Sequence, residues 1–207
     1  MGKSNEIEKL FNEGISRKDG CNLCKEASLG AGQNTGYGII IYKSGTLKSG
    51  WFATLSPKTG GDPKKDFTIQ LMPFLHLTHF SQMAAHSGLA ENYGTAFSKI
   101  CGAMTQIMMQ DEGLKANSEE RSLSASIGTY GKSTTWKEKK EHLHIKVFPF
   151  RGYIGQPYTV DSSFGKKSVF KEKTGEEFVK MKPVKKEAID KKRFNHLAKK
   201  LIGLLRD

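Results

Sequence analysis

Glu141-His142-Leu143-His144-Ile145-Lys146-Val147-Phe148-Pro149 alternates apolar and polar residues with the period of two that a β-strand imposes. Leu143, Ile145 and Val147 fall on one face, which belongs on a core. His142, His144 and Lys146 fall on the other. Two imidazoles and an ammonium are therefore expected in line on an accessible surface. Imidazole near neutrality serves as nucleophile, base or metal ligand. A lysine on the same face disfavours extra protons on the rings and attracts phosphate. An edge strand with polar outer residues would show the same alternation without any chemistry.

Upstream, Gly38-Ile39-Ile40-Ile41-Tyr42 and Trp51-Phe52-Ala53-Thr54-Leu55 flank a turn between Ser44-Gly45 and Ser49-Gly50, the pattern of a hairpin. Ser56 to Asp66 reads as a polar loop. Phe67 to Pro73 reads as a further strand, with Pro73 suited to its end. Residues 90 to 110 carry Phe97, Ile100, Cys101, Met104, Ile107 and Met108 three or four apart, which predicts the main helix. The methionines suit adaptable core packing. Cys101, on the same stripe, reads as an apolar thiol. Ser122 to Ile127 alternates as a strand, and Gly128 to Lys140 reads as a polar loop. Residues 4–14 predict a short helix capped by Ser4, and Glu177 to Met181 suits a strand. A closing amphipathic helix is expected from about Lys186 to Leu205, with Ile189, Phe194, Leu197, Leu201 and Leu204 on its apolar face. Strands joined by loops, with helices between and after, predict an α+β fold with an antiparallel sheet. The Gly30 to Gly36 stretch is no dinucleotide fingerprint, because it follows no clear strand and its third glycine comes one residue late.

The chain has 207 residues, of which 37% are hydrophobic, too many for general disorder. No apolar run is long enough to span a bilayer, so no membrane partner is expected. Met1 to Glu6 opens a charged segment without an apolar core, so no secretory leader is expected. Three cysteines cannot all pair within the chain, and Cys21-Asn22-Leu23-Cys24 has the spacing of a metal or redox site. Together these predict a reducing, cytoplasmic setting. The net charge is +12, and the stretch from Gly165 to Asp207 is the most basic part of the chain. Such a balance suits a phosphate or nucleic-acid partner, and equally a solvated lysine face.

The histidine strand, the CxxC and the segments between them resemble the histidine triad (HIT) superfamily of nucleotide hydrolases and transferases. The family motif is His-φ-His-φ-His-φ-φ, with φ apolar. The match here is His142-Leu143-His144-Ile145-Lys146-Val147-Phe148, with lysine at the third triad position. Cys21-Asn22-Leu23-Cys24 resembles the zinc-type CxxC that opens many of these chains. Leu55-Ser56-Pro57 and Thr68-Ile69-Gln70-Leu71-Met72-Pro73-Phe74-Leu75-His76 resemble the stretch between. The resemblance covers about residues 17–152, in the family's order. It divides the chain into a HIT-like nucleotide-binding domain, 1–152, and a basic extension with the closing helix, 153–207. The third histidine is also absent from galactose-1-phosphate uridylyltransferases and aprataxin-like enzymes. The family's Gly-Gln-Ser approach to the triad is missing, and Thr134 to Lys140 stands in its place.

The resemblance implies a zinc ion held by Cys21, Cys24, His142 and the histidine after the third strand. His76 fills that place best, and His79 is the competing candidate. A closed four-ligand site of this kind would be structural. The resemblance also implies that His144 attacks the α-phosphorus of a nucleotide to form a nucleotidyl-histidine. The other ring nitrogen would be held by an acceptor, typically a backbone carbonyl. Lys146 would stabilise phosphoryl oxygens, although an ammonium is a poorer proton donor than an imidazolium. Ser126, Gly128, Thr129, Gly131, Lys132 and Ser133 are candidates for a phosphate-binding lip. Tyr130 and Trp136 would either stack on a base or pack the loop. Dinucleoside polyphosphates and nucleoside phosphoramidates are the expected substrates. Two alternatives stand beside this: aprataxin-like removal of adenylate from nucleic-acid ends, and a non-catalytic nucleotide- or RNA-binding module. Many HIT proteins are two-fold dimers, which makes a homodimer an expectation here.

Overall fold

The computed structural model describes residues 19–78, 80–111, 126–131, 142–149, 167–171, 177–181 and 186–206, with the backbone alone for 126–131, 167–171 and 177–181. The helix expected over 4–14, together with His79, Lys132, Ser133 and Trp136, lies outside these residues.

The fold is α+β. Its main sheet has six antiparallel strands in the order β1-β2-β3-β5-β7-β6. These are β1 (Asn34–Thr35), β2 (Gly38–Ser44), β3 (Trp51–Leu55), β5 (Ile69–Pro73), β6 (Ser126–Gly131) and β7 (His144–Pro149). The hairpin of β2 and β3 forms where expected, turning at Gly45, whose φ of +84° favours glycine. Short β4 (Lys58–Thr59) pairs with β10 (Glu187–Ala188). β8 (Lys167–Lys171) pairs with β9 (Glu177–Met181), the strand expected there.

Three α-helices are described: α1 (Asn22–Glu26), α2 (Ser87–Asp111) and α3 (Lys191–Leu204). A 3₁₀ turn, Phe80–Ala85, leads into α2. Each face of the sheet is covered by different elements. On one face, Trp51, Ala53, Leu55, Leu71, Ile145 and Val147 pack with Ile100, Met104, Ile107 and Met108 of α2. Leu197, Ala198 and Leu201 of α3 join the same core. The indole Nε1–H of Trp51 donates to the Leu89 carbonyl at 2.9 Å and pins the start of α2. On the other face, Leu23, Ala27 and Leu29 lie on Ile40, Phe52, Met72 and Phe74. Because both faces are covered, every residue of β3 is buried.

Three expectations need correction. The loop expected from Gly128 onward is strand as far as Gly131, because β6 pairs along the full length of β7. The closing helix begins at Lys191 rather than Lys186. Glu187 and Ala188 pair with β4, and the Ile189 amide donates to the Pro57 carbonyl at 2.9 Å. Ile189 is therefore buried ahead of the helix rather than on it. Asp190 then caps α3, accepting from the amides of Lys192 at 2.9 Å and Arg193 at 3.1 Å. Finally, His142 does not share an accessible surface with His144 and Lys146: it precedes β7 and is 2% exposed. Asp190→Ala is expected to cost about 1 kcal/mol, read as a lower denaturant midpoint with an unchanged slope.

Candidate metal centre and histidine strand

Cys21 stands at the N-cap of α1 and Cys24 within its first turn, so the two thiols emerge on the same side. The apolar contacts of Leu23, Ala27 and Leu29 hold this short helix against the sheet. The Lys43 ammonium fixes its far end, donating to the carbonyls of Ala27 at 2.7 Å and Leu29 at 3.1 Å. The same ammonium lies 5.1 Å from the centre of the Phe74 ring. His76 follows β5. His142 is fixed by its neighbour, whose Leu143 amide donates to the Leu77 carbonyl at 2.6 Å.

The two loops and α1 bring Cys21, Cys24, His76 and His142 together, all buried, with ligand atoms within 4.8 Å of one another. His142 Nδ1 is 3.6 Å from each sulfur, and His76 Nδ1 is 3.4 Å from the Cys24 sulfur. A tetrahedral centre about 2.3 Å from each sulfur and about 2.0–2.1 Å from each nitrogen has sulfur–nitrogen edges of about 3.5 Å. The cluster thus has the dimensions of a four-ligand structural metal site. His142 also has the outer bond such a ligand needs: its Nε2 lies 3.1 Å from the Pro73 carbonyl. A carbonyl only accepts, so Nε2 carries the proton and Nδ1 keeps its lone pair for a metal. The Cys21 thiol is held far below its usual range. The hydrogen bond from Cys24 is the largest cause, and burial opposes it. Thiolate is the ligating form.

His144 is half-buried on the sheet face that α1 partly covers. Its Nδ1 lies 3.1 Å from the His142 carbonyl. By the same reasoning, Nδ1 is protonated and Nε2 carries the lone pair. The carbonyl that orients His144 thus belongs to a candidate metal ligand. Burial pushes this imidazole below its usual range, with Lys146, His142 and Lys186 adding to the effect, while the carbonyl bond opposes them. The ring is therefore neutral near pH 7.

Register places the remaining candidates. Gly131 pairs with His144 and Thr129 with Lys146, so these two lie in rows with the histidine and the lysine. Ser126 and Gly128 pair with Pro149 and Val147, whose rows alternate to the opposite face. The segment is the edge strand of the sheet, paired along one side with β7. Sequence reasoning missed a polar row. Thr54 pairs with Gln70, Gln70 with Lys146, and Lys146 with Thr129 across four strands. Thr54 is fully buried, and among the described residues its hydroxyl has no partner. Its only sequence signal is a hydroxyl inside an apolar strand, and nothing local reveals what it faces.

Searches with protein-family models, curated proteins and solved structures find no match to this chain. The class is defined by fold and site: an α+β protein with a buried Cys2His2 cluster that fits a structural metal, next to an oriented histidine. Among the described residues, no helix is long and apolar enough to cross a membrane.

Proposed function

We propose that this protein is a HIT-type nucleotide hydrolase or nucleotidyl transferase acting at an α-phosphate through His144. The observation that carries the proposal is the bond from His144 Nδ1–H to the His142 carbonyl, which turns a neutral ring with a free Nε2 toward a half-open sheet face. Nε2 attacks the α-phosphorus, the bond to the leaving group breaks, and a nucleotidyl-histidine forms. Water then attacks the same phosphorus and releases the mononucleotide, or a phosphate acceptor takes it.

Lys146, two residues along on the same face, supplies positive charge to the phosphoryl oxygens. Gln70, half-buried, extends that row as a polar contact. The ion fitting two thiolates and two imidazoles in a closed tetrahedron is zinc. Cys21, Cys24, His76 and His142 would hold it, and its contribution is structural: it joins α1 to the start of β7.

The lysine at the third triad position makes one leaving group better than the other. A polyphosphate departs as an anion, whereas an amine needs a proton, and an ammonium is a poorer donor than an imidazolium. Dinucleoside polyphosphates are therefore expected to turn over faster than nucleoside phosphoramidates of the same base. The test is to incubate the protein with both substrates, labelled on the α-phosphate, and to quench early in denaturant. The expected result is mononucleotide product and a protein-bound label that is stable to base and labile to acid. Nucleotide binding with neither product nor adduct would favour the non-catalytic module instead.

A further inference from the structure

We propose that the exposed face of α3 binds the phosphodiester backbone of a nucleic acid, on the side of the sheet opposite His144. The helix contributes Leu197, Ala198 and Leu201 to the core shared with Ile145 and Val147, while His144 alternates to the other face. Its outward side is therefore a separate surface, and the proposal does not depend on the activity of His144.

Three observations converge on this face. First, the helix contains no acidic residue; Lys192 and Lys199 stand seven apart on it, and Arg206 follows just past its end at Leu204. That spacing puts the two lysines in line, about 10 Å apart along the axis. All three are exposed, as is Lys191, and among the described residues none of the four has an acidic partner. Lys200, on the flank, is paired with Asp111 at 3.6 Å.

Second, Lys191, Lys192 and Arg193 occupy the first turn, where the helix dipole disfavours cations. Arg193 has a structural task, donating to the Lys65 carbonyl at 2.7 Å. Lys191 and Lys192 have none among the described contacts, so their placement costs helix stability without a structural return.

Third, the ridge has a hollow on each side. One, of about 400 Å³, lies against Gly32 and Ile39; the other, of about 470 Å³, lies against Gln110. Lys199 and Gly203 border both. Arg206 borders the first as well, so cations edge the hollows as a linear, regularly charged backbone requires.

A membrane surface is the competing partner for a basic helix. Such a helix buries its apolar face in lipid. Here most of that face is already in the protein core, with Leu197, Ala198 and Leu201 buried and only Leu204 at its end exposed.

The experiment is fluorescence anisotropy of a short labelled DNA duplex with the full-length protein across a salt series. The comparison is with Lys192→Gln/Lys199→Gln/Arg206→Gln, and Lys48→Gln, in the β2–β3 turn, is the control. Wild type is expected to bind with a steep salt dependence. The triple variant should lose nearly three units (about 2.7) of the slope of log K against log salt, while the control keeps it. A Lys191→Gln/Lys192→Gln variant should bind more weakly yet melt no lower than wild type, which a purely structural role for these lysines would not produce. No binding by wild type, or a slope unchanged in the triple variant, would overturn the proposal. So would phosphatidylserine vesicles binding wild type but not the triple variant while the duplex stays unbound.

Discussion

Chelation of the metal is expected to detach α1 from the sheet and destabilise the protein by several kcal/mol. The purified protein should carry zinc at one equivalent per chain. With free ion a thousandfold above its dissociation constant, a site present only in the folded state contributes about 4 kcal/mol. The reason is local. α1 has only five residues, too few to be stable alone, and it reaches the sheet through a small apolar cluster. Two of the four ligands come from this segment, so the ion would clamp it to His76 and His142. Cys24→Ser should lose the metal and lower the melting temperature, whereas Cys101→Ser, remote from the cluster, should keep the metal. Limited proteolysis in chelator should then cleave between residues 19 and 36. Acid should release the ion as well, because protons compete for thiolates and imidazoles; affinity rises with pH until all four ligands are deprotonated. Elemental analysis and melting curves with and without chelator decide the matter. A metal-free preparation whose melting point ignores both zinc and chelator would overturn the assignment.

The parts of this fold that were legible in the sequence are those with an uninterrupted local period. Leu143, Ile145 and Val147 alternate and lie in the core, and Ile100, Met104, Ile107 and Met108 recur at helical spacing and pack against them. The hairpin of β2 and β3 announced itself through Gly45 and Gly50 between apolar runs. What was not legible depends on partners distant in sequence. Glu187 and Ala188 look like the start of a helix until Lys58 and Thr59 pair with them. Gly128 to Gly131 look like a loop, since glycine is a poor strand former, until β7 supplies the ladder.

Alternation alone puts His142 on an open surface, yet it is buried in a cluster with the thiols. Alternation describes a strand, and His142 lies just before one. The metal cluster itself was visible as CxxC spacing, but His76 entered only through the family resemblance. The Thr54–Gln70–Lys146–Thr129 row is a product of register, which no single strand encodes.

His144→Ala is expected to abolish turnover, by a factor on the order of 10⁴ to 10⁶, as when a nucleophile acting within a catalytic unit is removed. The substitution should leave the metal content and melting temperature close to wild type, because the half-buried ring spends its one described hydrogen bond on orientation rather than on the core. That separation matters. His142→Ala should also abolish turnover, but by removing a metal ligand, and it should lose zinc and stability together. The two histidines, two residues apart, are thus distinguished by which measurement fails. A His144→Gly variant adds a further discrimination. If His144 supplies only a nucleophilic imidazole, free imidazole in solution should restore part of the activity and release the nucleotide as its imidazolide. A general base would be rescued without that product. Lys146→Gln should act differently again. It removes charge from the phosphoryl site without removing the nucleophile, so the adduct should still form, more slowly and with weaker substrate binding. Full activity in His144→Ala would place the chemistry elsewhere. The bond between His144 and the His142 carbonyl would then be no more than a feature of the strand's entry.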